Sequence, residues 1–469
     1  MFTIQEVVKH CEGRLFGRAM DQPLLHVSTD TRVILPDSLF FALRGDRFDG
    51  HLFVREAFQK GALAAVVDKE GYSKINLSHL VEKDAPLVMV KNVYEALGKL
   101  ASAYRNRFHI PIIAVTGSAG KTTTKEYMGA LLGERLKVRI SKGNLNNHIG
   151  LPLNLFQLTK EDQIGVFEIG ASAAGEIDYL CSILKPTLGV ITCVLPAHLK
   201  SFGSLDRVYR TKLELAEWLA KNRGTLFVNG DNFELVARAK QFRVKLITFG
   251  KSQGCDFVVS DEKQAGEFLR FQVNHKYEFN VHGFGIFNVM NALAALTVLD
   301  HLMFDLNEAA AHWKQFVSVP NRFEVERLEA PDVQIIKDCY NANPESFSLA
   351  LQSFAHFSAS GKKIIVAGDM KELGKESEDY HEKLGSEIAE TSADLLIAVG
   401  EFAQTVIRAA QEKNYTLATV AFQNTSDVPE FLASVLCDGD LVLLKGSRAM
   451  KLEQIVDTLK RERHTQSVL

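Results

Sequence analysis

The residues best suited to chemistry lie in the run IIAVTGSAGKTTT, from Ile112 to Thr124. The apolar residues 112–115 predict a buried strand, and a short glycine-containing loop separates it from a helical pattern. Backbone N–H groups at the start of a helix and the helix dipole both favour an anion in such a loop. Lys121 can reach the outer phosphates of a nucleotide, and the Thr122 hydroxyl can bind Mg²⁺. The run therefore predicts a phosphate-binding loop; the alternative is a strand–turn–helix corner with a solvated lysine.

The loop is shorter than the common phosphate-loop pattern G-x-x-x-x-G-K-[ST]. Five residues before Gly120 the chain has Val115 instead of glycine, which leaves the form T-G-x-x-G-K-T-T. Strand, glycines, Lys-Thr and helix still occur in the order that phosphate binding requires.

Polar side chains in or after other predicted strands are further candidates. Glu168 lies in the otherwise apolar strand VFEIG (166–170), where a carboxylate is costly unless it pairs with a cation. Mg²⁺ suits that position near a phosphate loop, and a buried lysine or arginine is the alternative partner. His198 follows the strand GVITCV (189–194), and Lys212 lies in the helical pattern RVYRTKLELAEWL. Taken alone, both of these residues fit ordinary solvated side chains.

Three polar loops in the last third of the chain each follow a predicted strand: DCYNANPES (338–346), GDMKELG (368–374) and KGSR (445–448). Because ligands bind beyond the carboxyl ends of parallel strands, the three loops together predict a binding edge. Near the N-terminus, STDTR (28–32) and LRGDRFDGH (43–51) are polar loops that either hold a ligand or form solvated turns.

Strand and helix patterns alternate along the chain and must position these residues. Its length and patterns predict an α/β protein of three domains. Residues 1–107 form a small α/β domain, and 108–318 form a central phosphate-loop domain with a mostly parallel sheet. Antiparallel hairpins are expected over 256–282 and a helix over 306–316. Residues 319–469 form a Rossmann-like domain, which lacks the G-x-G-x-x-G fingerprint of dinucleotide binding.

Composition excludes several classes of protein. The hydrophobic content of 46% and charged content of 24% are those of an ordinary globular protein. A net charge of −3 gives no electrostatic case for nucleic acid as a partner. The six cysteines are scattered without a C-x-x-C pair, which suits a reducing cytoplasm rather than a disulfide framework. The sequence contains neither a signal-peptide pattern nor an apolar run long enough to span a membrane.

A series of motifs, in this order over essentially the whole chain, resembles the Mur ligases, the ATP-dependent amide-forming enzymes of peptidoglycan synthesis. They are T-G-S-A-G-K-T-T, E-I-G-A-S, H-L-x-x-F-G-S, K-x-E-L, N-x-x-N-A-L-A-A, P-N-R-F-E, D-x-Y-N-A-N-P-x-S and K-G-S-R. The N-terminal loops resemble the UDP-sugar-binding domain of this family. DCYNANPES and GDMKELG resemble the MurF type, and the D-[ND]-P-R motif of many MurE enzymes is absent.

The resemblance implies that D-alanyl-D-alanine is joined to UDP-N-acetylmuramoyl tripeptide, with ATP and Mg²⁺, in the cytoplasm. We also expect a monomer without a membrane segment. A MurE-like or folylpolyglutamate-type ligase is the alternative within the superfamily. Two alternatives lie outside the superfamily. One is a phosphate-loop NTPase switch, for which VFEIG would be a variant of the usual apolar run ending in Asp. The other is an inactive nucleotide-binding module. Lys121, Glu168 and Lys212 argue against the inactive module.

Residue roles also follow from the resemblance. The catalytic residues are Lys121, Glu168, His198 and Lys212, with Lys212 carbamylated. The magnesium ligands are Thr122, Glu168, His198 and Lys212. The ATP contacts are Thr116, Gly117, Ser118, Ala119, Gly120, Lys121, Thr122, Thr123, Asn291, Arg322, Asp338 and Asn341. The substrate contacts are Ser28, Thr29, Arg44 and Gly45 for the UDP-sugar, and Tyr340, Asn343, Lys445, Ser447 and Arg448 at the edge that receives the amine.

Two departures from the family pattern concern ligand contacts. Residues 171–177 read ASAAGEI, where MurF-type members often have A-N-H-P-G-E-I, so the Asn-His pair is absent. Phe287 replaces the histidine of the usual G-x-H-N motif. A phenylalanine can stack on a base but donates no hydrogen bond. Neither change removes a phosphate-binding or metal-binding residue.

Overall fold

The computed structural model describes residues 1–18, 21–45, 48–75, 85–196, 199–315 and 319–466. Contacts divide the described chain into two compact units. The first comprises Met1–Ala114, Arg135–Ala171 and Gly175–Leu188, and the second comprises Val115–Glu134, Ser172–Ala174 and Gly189–Leu469. The boundaries of the three domains expected from the sequence stay predictions.

The helices of the described residues are α1 (Ile4–His10), α2 (Val54–Gln59), α3 (Lys69–Lys74), α4 (Val93–Arg105), α5 (Lys121–Gly133), α6 (Gly150–Leu155), α7 (Glu176–Leu184), α8 (Leu199–Phe202), α9 (Leu205–Lys221), α10 (Phe233–Lys240), α11 (Asn288–His301), α12 (Leu306–His312), α13 (Pro344–Ala355), α14 (Ser377–Ala389), α15 (Ala403–Lys413), α16 (Val428–Val435) and α17 (Glu453–Gln466).

The strands of the described residues are β1 (Arg14–Phe16), β2 (His26–Ser28), β3 (Ser38–Phe41), β4 (Ala62–Asp68), β5 (Leu87–Val90), β6 (Ile112–Thr116), β7 (Val138–Ile140), β8 (Ile164–Glu168), β9 (Leu188–Ile191), β10 (Thr225–Asn229), β11 (Lys245–Gly250), β12 (Phe257–Ala265), β13 (Phe268–Val273), β14 (Tyr277–His282), β15 (Glu324–Glu329), β16 (Asp332–Asp338), β17 (Lys363–Gly368), β18 (Leu395–Val399), β19 (Ala418–Phe422) and β20 (Leu441–Lys445).

The N-terminal sheet has five strands in the order β1-β5-β4-β3-β2. β1 is antiparallel to β5, and the other neighbours are parallel. α4 buries Val93, Ala96, Leu97, Leu100 and Ala101, the apolar face that its spacing predicts. The small N-terminal α/β sheet expected from the sequence is confirmed.

The second sheet has nine strands in the order β14-β13-β12-β11-β10-β9-β6-β8-β7. β10 and β11 are parallel, as are β7 and β8, whereas β12, β13 and β14 pair as antiparallel hairpins. The hairpins expected over 256–282 are therefore confirmed. Helix α11, which is apolar almost all round, packs against α5, the helix that follows the glycine loop.

The C-terminal sheet has six strands in the order β15-β16-β20-β17-β18-β19, parallel except for β15. Apolar cores cover both faces: Phe347 and Phe354 belong to one core, and Leu432 and Ile455 belong to the other. A parallel sheet with helices on both faces confirms the Rossmann-like expectation. Among the described residues, every helix is too short or too polar to cross a bilayer.

Three elements differ in length from their predictions. The strand expected over 166–170 is Ile164–Glu168, so Glu168 ends the strand instead of lying inside it. The strand expected over 189–194 ends at Ile191, since the next residues bond to the glycine loop. The helix expected over 306–316 ends at His312 because Lys314 and Gln315 pair with His282 at the edge of the hairpin sheet.

Candidate active site

The glycine loop between β6 and α5 is shaped by two backbone positions that exclude a side chain. Gly117 has a φ of +146° and Gly120 a φ of +79°. A Cβ at Gly117 would lie 2.0 Å from the Thr192 Oγ1, and one at Gly120 would lie 2.3 Å from the Asn291 Oδ1. Both glycines are therefore required by conformation and by space.

Residues 192–195 hold the loop from one side. The Ser118 N–H donates to the Cys193 carbonyl at 2.9 Å, and the Leu195 N–H donates to the Ser118 hydroxyl at 2.9 Å. The Thr192 hydroxyl donates to the Ala119 carbonyl at 2.5 Å. Burial raises the pKa of the Cys193 thiol, so this group is a neutral neighbour of the loop. The loop is thus fixed before any ligand binds.

Several polar groups of the loop suit a phosphate. Among the described side chains none caps α5 at Gly120, so its first turn presents the positive end of the helix dipole. The Lys121 ammonium folds back to donate to the Gly117 carbonyl at 2.8 Å. Among the described residues, the buried Thr116 hydroxyl has no hydrogen-bond partner, which is unusual for a buried polar group. Thr122 and Thr123 are both buried at the start of the helix. Their roles as phosphate contacts stay predictions.

The predicted nucleotide contact Asn291 lies beside this helix. Its Oδ1 accepts from the Thr124 hydroxyl at 3.3 Å, and its Nδ2 donates to the Asn288 Oδ1 at 3.0 Å. A cavity of about 180 Å³ opens here, and Arg322 is among its lining residues. Its other lining residues are Thr123, Tyr127, His282, Gly283, Phe284, Asn288, Gln315, Val319, Phe323, Glu324 and Val325.

Phe287, the departure from the family pattern, packs within the protein. Its ring meets the ring of Phe323 edge-on, with 5.3 Å between centroids. Phe323 belongs to the core that covers one face of the C-terminal sheet, and the partly buried Phe287 packs against that core. The replacement of histidine thus adds apolar contact between the N-terminal end of α11 and that core.

The predicted metal ligands occupy buried positions. Glu168 ends β8 with 2% exposure, and Lys212 lies on α9 with 3% exposure. The Glu168 Oε1 accepts from the Asn146 amide at 2.7 Å. Charged side chains are almost never fully buried unless they are paired. The burial of Glu168 and Lys212 therefore distinguishes them from ordinary surface residues. His198 lies outside the described residues, and its predicted role stays a prediction.

The predicted edge of the C-terminal sheet is built around a buried ion pair. The Lys445 ammonium, 1% exposed, contacts the Asp338 carboxylate at 2.5 Å. The Arg322 guanidinium lies over the Tyr340 ring at 4.0 Å, and that of Arg448 lies 5.8 Å from the same ring. The structure thus pairs Asp338 with Lys445, and it places Arg448 and the predicted nucleotide contact Arg322 near Tyr340.

Three further predicted residues of this edge have local contacts. The Asn343 Oδ1 caps α13 by accepting from the Ser346 N–H at 2.8 Å, and the Ser346 hydroxyl accepts from the Asn343 N–H in return. The Ser447 hydroxyl accepts from the Lys371 N–H at 2.8 Å and so ties KGSR to GDMKELG. Asn341 is exposed, and its Oδ1 accepts from the Ala342 N–H.

At the N-terminal loops, the predicted residues are in contact with acidic groups and the main chain. The Ser28 hydroxyl donates to the Asp30 carbonyl at 3.0 Å, and Thr29 beside it is half-buried. Arg44 donates to the Glu70 carboxylate at 2.8 Å, while its Nε and Nη2 are buried and have no hydrogen-bond partner in the part of the chain that the structure describes. Gly45 is exposed, and its N–H donates to the Phe48 carbonyl.

Sequence reasoning missed three residues that shape these loops. Thr192 bonds to Ala119 of the glycine loop, 73 positions away, and Asn146 bonds to Glu168, 22 positions away. Asp369, 2% exposed, accepts from the N–H groups of Glu401 and Phe402. Two of these residues lie in stretches that the sequence marks. Asp369 belongs to the predicted polar loop GDMKELG, and Asn146 belongs to the asparagine-rich run NLNN.

Comparison with family models matches three parts of the chain. Residues 24–105 match the Mur ligase family catalytic domain, 115–299 the Mur ligase middle domain and 321–448 the Mur ligase glutamate ligase domain. The matches follow the same order as the three sheets.

Comparison with individual proteins gives matches over nearly the full length. The UDP-N-acetylmuramoyl-tripeptide–D-alanyl-D-alanine ligase of Bacillus subtilis (strain 168) is 33% identical over 459 residues, which cover 97% of this chain and 98% of that protein. A crystal structure of MurF from Acinetobacter baumannii superposes with a TM-score of 0.85 at 29% identity, covering 98% of both chains. The structure of a MurF ligase from Thermotoga maritima in complex with ADP has a TM-score of 0.78 at 28% identity, covering 95% of this chain and 100% of that one.

Proposed function

The chain belongs to the Mur ligase family, and we propose that it is an ATP-dependent ligase of the MurF type. It joins D-alanyl-D-alanine to UDP-N-acetylmuramoyl tripeptide in peptidoglycan synthesis, a step that supports cell shape and division. The observation that carries this proposal is the 33% identity to the Bacillus subtilis ligase over 97% of the chain. The ADP complex of the Thermotoga maritima relative supports ATP as the co-substrate.

The proposed reaction has two steps. The terminal carboxylate of the tripeptide attacks the γ-phosphorus of ATP, which forms an acyl phosphate and releases ADP. The amine of D-alanyl-D-alanine then attacks the acyl carbon, a tetrahedral intermediate forms, and phosphate leaves as the amide appears. Since little covalent chemistry falls to the protein, positioning and charge stabilisation carry most of the rate.

The glycine loop is proposed to bind the ATP phosphates. Lys121 exchanges its bond to the Gly117 carbonyl for the outer phosphates, where its charge balances the transferring phosphoryl group. Because Gly117 and Gly120 carry no side chain, the backbone of the loop adopts a conformation that a Cβ would prevent, and this backbone is proposed to surround the phosphate oxygens as a cradle. The cavity lined by Asn288, Phe284 and Arg322 is the proposed place of the base.

Thr122, Glu168, His198 and Lys212 are proposed as magnesium ligands. The donor set fits a hard cation, because a hydroxyl, a carboxylate and a carbamylated Lys212 all offer oxygen. Carbamylation converts the buried ammonium into an anion, which a plain lysine cannot be. When bound, Mg²⁺ neutralises charge on the transferring phosphoryl group.

The C-terminal edge is proposed to receive the amine. The guanidinium groups of Arg322 and Arg448, both near the Tyr340 ring, offer a cationic surface that suits the dipeptide carboxylate. Lys445 and Asn343 keep this edge in shape through the ion pair and the helix cap. Ser28, Thr29, Arg44 and Gly45 stay proposed contacts of the UDP-sugar. A cytoplasmic location is proposed as well, because ATP and a nucleotide-linked precursor are the substrates.

Replacement of Lys121 tests the role of the glycine loop. Lys121→Ala is expected to lower phosphate release by about 100-fold or more, as the loss of one charge-stabilising donor does in other enzymes. Lys160→Ala, at an exposed lysine of the same chain, is the control and retains full activity. Near-normal turnover by Lys121→Ala contradicts the assignment of the loop.

The carbamate has its own test. Lys212→Ala is expected to lose ligation and to regain part of it when a small carboxylic acid such as formate supplies the missing anion. Chloride at equal ionic strength is the control and restores nothing. Absence of rescue, together with unmodified density for Lys212 in a crystal of the enzyme with bound substrate, contradicts the carbamate.

A further inference from the structure

Asn146 is a side chain that the proposed mechanism does not use. It lies in the asparagine-rich segment between β7 and α6, and its Nδ2 donates to the Glu168 Oε1 at 2.7 Å. An amide N–H donor engages only one of the four lone-pair sites that a carboxylate offers. The bond therefore sets the orientation of the carboxylate.

The main chain of Glu168 is held independently of its carboxylate. Its N–H donates to the hydroxyl of Ser141 at 3.0 Å, and the Ser141 N–H donates to the Val166 carbonyl. With backbone and side chain both bonded, the rotation of the Glu168 side chain is restricted. Such preorganisation is what an active-site ligand needs from its surroundings.

The segment that carries Asn146 is itself rigid. Asn154, buried on α6, accepts from the Lys142 N–H at 2.9 Å and donates to the Leu145 carbonyl at 2.9 Å. The Asn146 carbonyl accepts from the Gly170 N–H at 2.9 Å, beyond the end of β8. A Cβ at Gly170 would lie 2.9 Å from the Asn146 Oδ1, so the chain leaves space for this side chain. The amide is thus carried by a fixed scaffold rather than by a loose loop.

We propose that Asn146 is a positioning residue for the magnesium site. It holds one oxygen of Glu168 so that the carboxylate meets the cation already oriented. The proposal rests on the metal role of Glu168 within the proposed function. Groups that orient metal ligands in this way typically contribute about 10–100-fold in metal affinity or activity.

Metal binding, rather than ligation alone, tests this role. Mn²⁺ binding to the full chain, complexed with a non-hydrolysable ATP analogue, is followed by electron paramagnetic resonance. Asn146→Leu keeps the side-chain volume but removes the donor, and Asn146→Ala is the second variant. Asn144→Ala is the matched control, because Asn144 is exposed in the same segment. Thermal unfolding of each variant reports whether it is folded.

Both Asn146 variants are expected to bind Mn²⁺ about tenfold more weakly and to need correspondingly more Mg²⁺ for half-maximal ligation. The KM for D-alanyl-D-alanine and the binding of Mn²⁺ by Asn144→Ala stay unchanged. A folded Asn146→Leu with normal Mn²⁺ affinity overturns the proposal. Failure of both variants to fold overturns it too, since Asn146 would then be an anchor of the segment. Normal Mn²⁺ affinity in Glu168→Gln would instead contradict the metal role of Glu168 itself.

Discussion

The ion pair of Asp338 and Lys445 is the buried charge pair on which the C-terminal edge depends. Lys445 is 1% exposed and its ammonium lies 2.5 Å from the Asp338 carboxylate. A paired charge of this kind contributes little net stability, but removal of one partner leaves the other uncompensated. The pair thus holds the carboxyl ends of the strands β16 and β20 in one fixed position relative to each other.

Lys445→Ala is expected to lower the free energy of unfolding by about 3–5 kcal/mol. Urea denaturation measures the change. Lys413→Ala is the control, because Lys413 forms an ion pair with Glu390 in which both side chains are mostly exposed, and it is expected to cost less than about 1 kcal/mol. Equal losses in the two variants would show that the burial of Lys445 has no energetic consequence.

Single residues differed in how far the sequence revealed them. Gly117, Gly120 and Lys121 were predictable because the pattern of strand, glycines, Lys-Thr and helix is local. Thr192 was not, and the run NLNN marked the segment of Asn146 without revealing its partner, since both contacts join segments far apart in sequence. A contact of that kind depends on the folded sheet, and no spacing within one segment encodes it.

The glycine loop and the helix α5 provide a direct comparison of two glycines. Gly120 has a φ of +79°, and a Cβ there would lie 2.3 Å from the Asn291 Oδ1. A Cβ at Gly133, the last residue of the helix, would meet no atom of the described residues within 4 Å. Alanine is costly at the first position because an L side chain is strained there. At Gly133 alanine is favourable, because alanine gives the unfolded chain fewer conformations to lose on folding than glycine does.

Gly120→Ala is expected to lower the free energy of unfolding by about 1–3 kcal/mol and to weaken ATP binding, because the cradle is displaced. Gly133→Ala, the matched control, is expected to raise stability by about 0.5–1 kcal/mol with unchanged ATP affinity. Urea denaturation and calorimetric titration with ATP measure both quantities. Unchanged nucleotide binding in Gly120→Ala would contradict the role of this loop.

The elements were largely predictable, and their ends were not. Period-two and helical patterns located the hairpins over 256–282 and the apolar face of α4. β9 stops at Ile191 because Thr192 and the residues after it bond to the glycine loop rather than continue the sheet. Helix α12 stops at His312 because Gln315 bridges to His282. In both cases a tertiary contact overrides the local pattern.

The three sheets together account for the α/β class that the alternating pattern predicts. The short strands β1 and β2, with three residues each, escaped prediction because so few residues show no periodicity. β19 escaped it as well, since Ala418–Phe422 lacks the strong apolar run of its neighbour β18. The order and direction of the strands within each sheet depend on contacts between segments that are distant in sequence, and the local sequence does not specify those contacts.

At the scale of the whole molecule, the proposed function is the formation of an amide with one particular amine, D-alanyl-D-alanine. The chain is incubated with UDP-N-acetylmuramoyl tripeptide, ATP and Mg²⁺, and each of a panel of amines is added in turn. D-Alanyl-D-alanine is one member; diaminopimelate, lysine and glutamate represent the other ligases of the superfamily. Phosphate release and the mass of the UDP-linked product are measured together.

The account predicts phosphate release only with D-alanyl-D-alanine, one phosphate for each amide, and a product heavier than the tripeptide precursor by that dipeptide less one water. Phosphate release at the same rate without any amine, or a product carrying a different amine, would contradict it.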